Sequence, residues 1–201
     1  MALGIRFVMG KLSIAVFASG GGTNLQAIID ASRMGVFDGR VSVVISNNSG
    51  AFALVRAADE KIPAFHISAK KYPVEQEFIA EIEKTMSAQD VNLIVLAGYM
   101  KLLPVEIIRN YRSRIINIHP ALLPNYGGKG MFGINVHMAV LESGDRLSGA
   151  TVHFVDEHYD HGAILIQRTV PVLPEDTPDL LAARVLAVEH EILPIAAGMF
   201  A

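Results

Sequence analysis

The chain contains no cysteine. Disulfides, thiolate-held metals and a cysteine nucleophile are excluded at once. Charge is also scarce: Asp, Glu, Lys and Arg make up 18% of the residues, and the formal net charge is −3. That balance creates no general attraction to nucleic acid or to an anionic membrane. Nor does any apolar run approach the ~20 residues that span a bilayer. Arg6 and Lys11 precede the apolar run 12–18, which has the outline of a signal peptide. The run is too short for that and feeds straight into Ser19-Gly20-Gly21-Gly22-Thr23-Asn24, a strand entering a glycine turn. The expectation is a cytoplasmic protein whose residues 1–10 form an extension outside the core.

Apolar residues, by contrast, are plentiful: they make up 51% of 201 residues, enough for one globular domain with a full core. Short apolar runs at 12–18, 41–46, 64–67, 93–96 and 115–119 predict strands. They alternate with helical patterns at 24–32, 52–60, 73–87 and 104–111. Such alternation implies a parallel sheet covered on both faces. After Pro120 the pattern changes. A polar, glycine-rich loop at 125–130 leads to a helix over about 135–142. Runs 148–155 and 163–170 predict a hairpin closed by a tight acidic turn. Thr177 is a good N-cap, with Pro178 at N1 and Asp179 in the first turn of a final helix reaching about His190 or beyond. The fold class is therefore α/β: a single domain over 11–201 with a Rossmann-like, mostly parallel sheet, helices on both faces, and a C-terminal hairpin plus helix. Its first half, to about residue 110, reads as a phosphate-binding unit. The half from about 111 is more specialised.

Three constellations carry chemistry. In Asn117-Ile118-His119-Pro120 a carboxamide and an imidazole stand two apart at a strand end, so both leave the same face. Ligands bind at such ends in open α/β sheets. The pair can hold a developing oxyanion and manage a proton. In Ser19–Asn24 the glycines admit a ligand to the backbone, and the following helix offers free N–H groups. The third glycine of a dinucleotide fingerprint is replaced by Leu25, no ribose-binding acid follows the second strand, and a P-loop lysine is missing. A phosphate monoester held by Gly22, Thr23 and Asn24 fits better; a plain tight turn is the alternative. In Asp156-Glu157-His158-Tyr159-Asp160-His161-Gly162, one carboxylate could face His119, raising its pKa and orienting it. Spacing does not say which acid does so. A metal site using His158, His161 and His153 is a weaker alternative, because the spacing matches no familiar motif.

With these residues in view, the chain resembles the phosphoribosylglycinamide formyltransferase family over about Lys11 to Phe200. The resemblance rests on SGGGTNLQ at 19–26, LAGYMKLL at 96–103, NIHPALLP at 117–124 and TVHFVDEHYDHG at 151–162. It implies formyl transfer from 10-formyltetrahydrofolate to the amine of glycinamide ribonucleotide, without a metal. It implies a catalytic trio of Asn117, His119 and Asp160, thereby choosing Asp160 from the acidic turn. Gly22, Thr23 and Asn24 would hold the substrate phosphate, with Lys71 or its neighbour Lys70 as a basic contact. Glu189 would bind the glycinamide end. The folate would lie against Tyr99, Met100, Lys101, Leu102 and Leu103 and against the loop beginning Val155-Asp156. The chain departs from the family at Lys101, where arginine is common, and at Ala121, where serine is common. Its stretch 125–136 is longer than usual, so the resemblance assigns no role there, His137 included.

Overall fold

A computed structural model describes residues 11–201. The extension expected at residues 1–10 lies outside the described residues. Alternation in the sequence becomes alternation in space: β1 (Leu12–Phe17), α1 (Thr23–Arg33), β2 (Gly39–Ser46), α2 (Phe52–Asp59), β3 (Ala64–His66), α3 (Glu75–Ser87), β4 (Leu93–Leu96), α4 (Val105–Asn110) and β5 (Ile115–His119). The second half adds α5 (Ile134–Ser143), β6 (Leu147–Phe154), β7 (Ile164–Pro171) and α6 (Pro178–Gly198). The strands form one sheet in the order β3-β2-β1-β4-β5-β6-β7. β1 to β5 pair in parallel, whereas β6 runs antiparallel to β5 and β7 antiparallel to β6.

Strand parity builds two cores. Ile14 and Val16 of β1 enter one with Leu25 and Ile28 of α1 and Leu181 and Val185 of α6. Ala15 and Phe17 enter the other with Ile79 and Ile82 of α3 and Ile107 of α4. A large apolar side chain fully buried in this way contributes about 1.5–3 kcal/mol. β1 has β2 on one side and β4 on the other, so the chain winds outward in both directions from that boundary. The loops after β1 and β4 separate there and open a crevice beyond the strand ends. Its rim is tied together: the Ser19 N–H donates to the Gly98 carbonyl (3.0 Å), and Ser19 Oγ accepts from the Met100 N–H (2.9 Å).

α6 begins as its sequence dictates, with Thr177 Oγ1 accepting from the Leu180 N–H at 3.3 Å. It continues through Pro194, whose ring is buried, to Gly198. The hairpin differs from expectation in its connection. Instead of a tight turn, a longer loop over 155–163 joins β6 to β7. The loop carries its own ties, including the His158 N–H to Asp156 Oδ1 at 2.8 Å. It closes where the Phe154 N–H meets the Ala163 carbonyl at 2.9 Å. Gly162 permits this closure, since a Cβ there would stand 1.9 Å from the Phe154 oxygen. No helix among the described residues is long and apolar enough to cross a membrane.

Candidate active site

Asn117 and His119 alternate with Ile116 and Ile118 on β5. The isoleucines enter the core shared with α1 and α6, so the polar pair leaves by the opposite sheet face. On β6, His153 lies directly opposite Asn117, and Thr151 lies opposite His119. The long loop after β6 then brings Asp160 back to the pair. Its Oδ1 lies 3.4 Å from Asn117 Nδ2, 3.5 Å from His119 Nδ1 and 3.6 Å from His153 Nε2. Its Oδ2 accepts from the Gly128 N–H at 2.9 Å. Asp160 adopts a φ of 54°, a left-handed conformation that Asp tolerates better than bulkier residues. Asn117 and His119 on β5 and Asp160 on the loop after β6 thus converge from two separate stretches of chain.

Hydrogen-bond chemistry orients the cluster. His119 Nε2 lies 2.8 Å from the Tyr126 carbonyl. A carbonyl only accepts, so Nε2 carries the proton and Nδ1 faces Asp160. Burial pushes the His119 pKa down; Asp160 and the Tyr126 carbonyl oppose that without overcoming it. Burial would raise the Asp160 carboxyl, but the His153 and His119 imidazoles when protonated, together with the Gly128 N–H, outweigh it and hold the pKa below the usual value. The Asp160 carboxylate thus stands beside an imidazole whose protonated form it stabilises.

The same cavity, of about 570 Å³, is also lined by Asn24 of α1 and Glu189 of α6. Asn24 Nδ2 donates to Glu189 Oε2 at 2.6 Å. Glu189 is only 7% exposed. Burial raises its pKa, and the Asn24 amide offsets only part of that. Asn24 Oδ1 is buried without a partner. These two residues therefore retain acceptor capacity that an amine or amide on a ligand can fill.

The other expected site residues separate into several places. Tyr99 and Met100 line the cavity. Burial pushes the Tyr99 phenol up to about 12. Lys101 and Leu102 are exposed and do not line it, while Leu103 is buried in the α3/α4 core and Val155 packs against that core. Asp156 is occupied within its own loop, 2.9 Å from His161 Nδ1. Gly22 is the left-handed N-cap of α1, and a Cβ there would meet Ala53 at 2.8 Å. Its packing alone requires glycine. Thr23 lines a neighbouring recess with Arg56. Lys70 and Lys71 line a third recess with Ser19, Asn47 and Asn48, and Lys71 Nζ donates to the His66 carbonyl at 3.2 Å. Lys71 and Asn24 do not share a cavity. Among the described residues, no three of His, Asp and Glu are grouped to hold a metal ion.

Three groups at the site escaped the sequence reading: the Tyr126 carbonyl, the Gly128 N–H and His153. The first two are backbone atoms of the glycine-rich loop and have no side-chain signature. His153 was visible only as a weak metal-ligand candidate. Its partnership with Asn117 depends on the β5·β6 register.

A parallel sheet opening at its switch point, extended by a hairpin that returns a carboxylate to an Asn–His strand end, defines a class. The chain belongs to the formyl transferase family, whose model matches residues 12–197. The chloroplastic phosphoribosylglycinamide formyltransferase of Vigna unguiculata is 47% identical over 90% of this chain, which spans 58% of that relative's length. The phosphoribosylglycinamide formyltransferase of Haemophilus influenzae is 41% identical over 93% of this chain and 86% of its own length. The crystal structure of glycinamide ribonucleotide transformylase 1 from Symbiobacterium toebii matches with a TM-score of 0.87 at 42% identity, covering 94% of this chain and 87% of that one. Within the family, these similarities group the chain with the phosphoribosylglycinamide formyltransferases.

Proposed function

We propose that the chain transfers the formyl group of 10-formyltetrahydrofolate to the amine of glycinamide ribonucleotide, giving formylglycinamide ribonucleotide and tetrahydrofolate in purine synthesis. The observation that carries this reading is the content of one cavity: a carboxylate–imidazole–carboxamide cluster together with a buried, under-satisfied carboxylate. Glu189 takes the glycinamide end. The pterin takes the apolar side of the cavity near Tyr99, Met100 and Ile118. The α1 N-terminus with Gly22, Thr23 and Asn24 takes the phosphate.

Chemistry follows from the groups in place. The substrate amine attacks the formyl carbon, forming a C–N bond and leaving negative oxygen and positive nitrogen. Asn117 and protonated His119 donate to the oxygen. Their donors are already engaged in the ligand-free geometry, with His153 and Asp160 for Asn117 and with Tyr126 for His119. The oxyanion must therefore share or replace one of those acceptors. Asp160 stabilises the imidazolium and passes the amine proton, directly or through water, to the folate nitrogen as its bond to the formyl carbon breaks. Holding both substrates in one cavity supplies proximity. Each charge and proton is assigned to a residue, so a chelator is expected to leave turnover unchanged.

The test is tetrahydrofolate release from 10-formyltetrahydrofolate, measured with and without glycinamide ribonucleotide. Acceptor-dependent release with formylated product supports transfer. Acceptor-independent release would make the protein a hydrolase, and absence of release a nucleotide-binding module.

A further inference from the structure

His153 is 2% exposed and does not line the cavity, yet it touches two of the residues proposed to do the chemistry. Its Nδ1 lies 2.8 Å from the Phe154 carbonyl. Because that carbonyl can only accept, Nδ1 carries the proton in the neutral ring, and Nε2 presents a lone pair. Asn117 Nδ2 donates to Nε2 at 3.0 Å. The carboxamide is thereby oriented: turned over, Asn117 Oδ1 would face the Nε2 lone pair and the Asp160 carboxylate. The cross-strand pairing of Asn117 and His153 makes the contact a property of the sheet, independent of the mobile ends of long side chains.

We propose that His153 is a positioning residue for formyl transfer, a tautomer-fixed acceptor that holds the Asn117 amide with its NH₂ toward the reacting centre. One N–H of Asn117 is anchored on His153. The other, now on a long 3.4 Å contact to Asp160 Oδ1, is the one free to move to the oxyanion. Without His153, the amide can rotate and present its oxygen to the developing negative charge. The role rests on the formyl-transfer reading above. The tautomer it requires does not.

Two experiments separate these. In protein labelled with ¹⁵N at histidine, the ring shifts of the neutral imidazole should identify His153 as the Nδ1–H tautomer. An Nε2–H tautomer overturns the proposal whatever the protein's activity. In the formyl-transfer assay, His153→Leu should lower kcat by about 10- to 100-fold, with KM for both substrates within about 2-fold of wild type. His153→Gln, which can offer Oε1 to Asn117, should recover most of that loss. Combined with Asn117→Ala, His153→Leu should cost less than about 2-fold more, because its effect passes through Asn117. Equal losses with and without Asn117, or no rescue by Gln, would assign His153 to packing alone. Failure of the wild type to transfer formyl would defeat the functional reading instead, leaving the tautomer result standing.

Discussion

Two buried polar clusters line one cavity and follow opposite plans. Around Asn117, His119 and Asp160, the protein supplies partners for itself: the Tyr126 carbonyl, the Gly128 N–H and His153 each occupy a position on the trio. Around Asn24 and Glu189 it leaves the work unfinished, with one hydrogen bond between the two and an orphaned Asn24 oxygen. The difference separates orientation from recognition. A group that must act at a fixed angle is best held by the scaffold before the ligand arrives. A group that must recognise a ligand gains specificity when its buried polar capacity is satisfied only by that ligand. Substitutions in the first cluster should therefore lower kcat, and those in the second should raise KM.

The largest effect is expected at Asp160. Asp160→Asn retains an oxygen to accept from Gly128 but cannot stabilise the His119 imidazolium, so kcat should fall on the order of 10²–10⁴. The alkaline limb of the pH–rate curve should move to lower pH as well, since His119 acts in its protonated form and the carboxylate opposes the burial that depresses its pKa. An unmoved curve would take Asp160 out of the proton path. Next come Asn117→Ala and His119→Ala, each removing an oxyanion donor, with kcat down about 10²–10³ and a circular dichroism spectrum matching the wild type. Near-normal turnover of either folded variant would dissolve the contrast between the two clusters.

Glu189→Gln probes the second plan. Losing a charged hydrogen bond to the substrate should raise KM for the glycinamide substrate by about 10- to 100-fold, with kcat much less affected. Stability should move the other way. Burial raises the Glu189 pKa above the ordinary 4.5, so the folded state holds its proton more tightly than the unfolded chain does. Stability is then lost as pH rises from 4.5 through the folded value, a cost that an uncharged Gln does not carry. The Gln variant should consequently melt higher than wild type near neutrality and lose that advantage in acid. A lower melting temperature at neutral pH would mean that the scaffold already satisfies Glu189.

How much of this was legible in the sequence depends on the range of the interaction. Strand β5 and the Asn117/His119 parity were readable because a two-residue period is local. So was the start of α6, where Thr177, Pro178 and Asp179 cap a helix through neighbouring backbone groups. The carboxylate was only partly readable. Spacing located the acidic stretch, but selecting Asp160 needed the family resemblance, because a loop over 155–163 can aim any of its acids inward. The hairpin connection was misjudged for the same reason: acids and glycine mark a turn without fixing its length. Tyr126 and Gly128 act through main-chain atoms that every residue possesses, so no residue type announced them. Lys71 shows the converse. The family resemblance offers it or Lys70 as a phosphate contact, and in the fold both line a recess apart from Asn24.

The smallest predicted effect comes from His137, on the first turn of α5, which sharpens the comparison by supplying a base where Glu189 is an acid. It is 4% exposed, lines the cavity, and has a buried Nδ1 without a partner. It therefore follows the unfinished plan although it stands near His119. Burial lowers its pKa from 6.5, and His119 lowers it further. The unfolded chain thus takes up the proton more readily, and stability falls as pH drops from 6.5 through the folded value. That is the mirror image of Glu189. His137→Leu removes the titration while keeping similar bulk, so melting temperatures at neutral pH should nearly coincide with wild type. At about pH 5 the variant should melt higher, by roughly 2–4 °C for each kcal/mol relieved in a domain of this size. Thermal melts of the ligand-free protein across that range provide the check. Parallel curves for variant and wild type would show that His137 titrates alike folded and unfolded, and that an unpartnered imidazole in this cavity is hydrated well enough to escape the cost borne by the carboxylate.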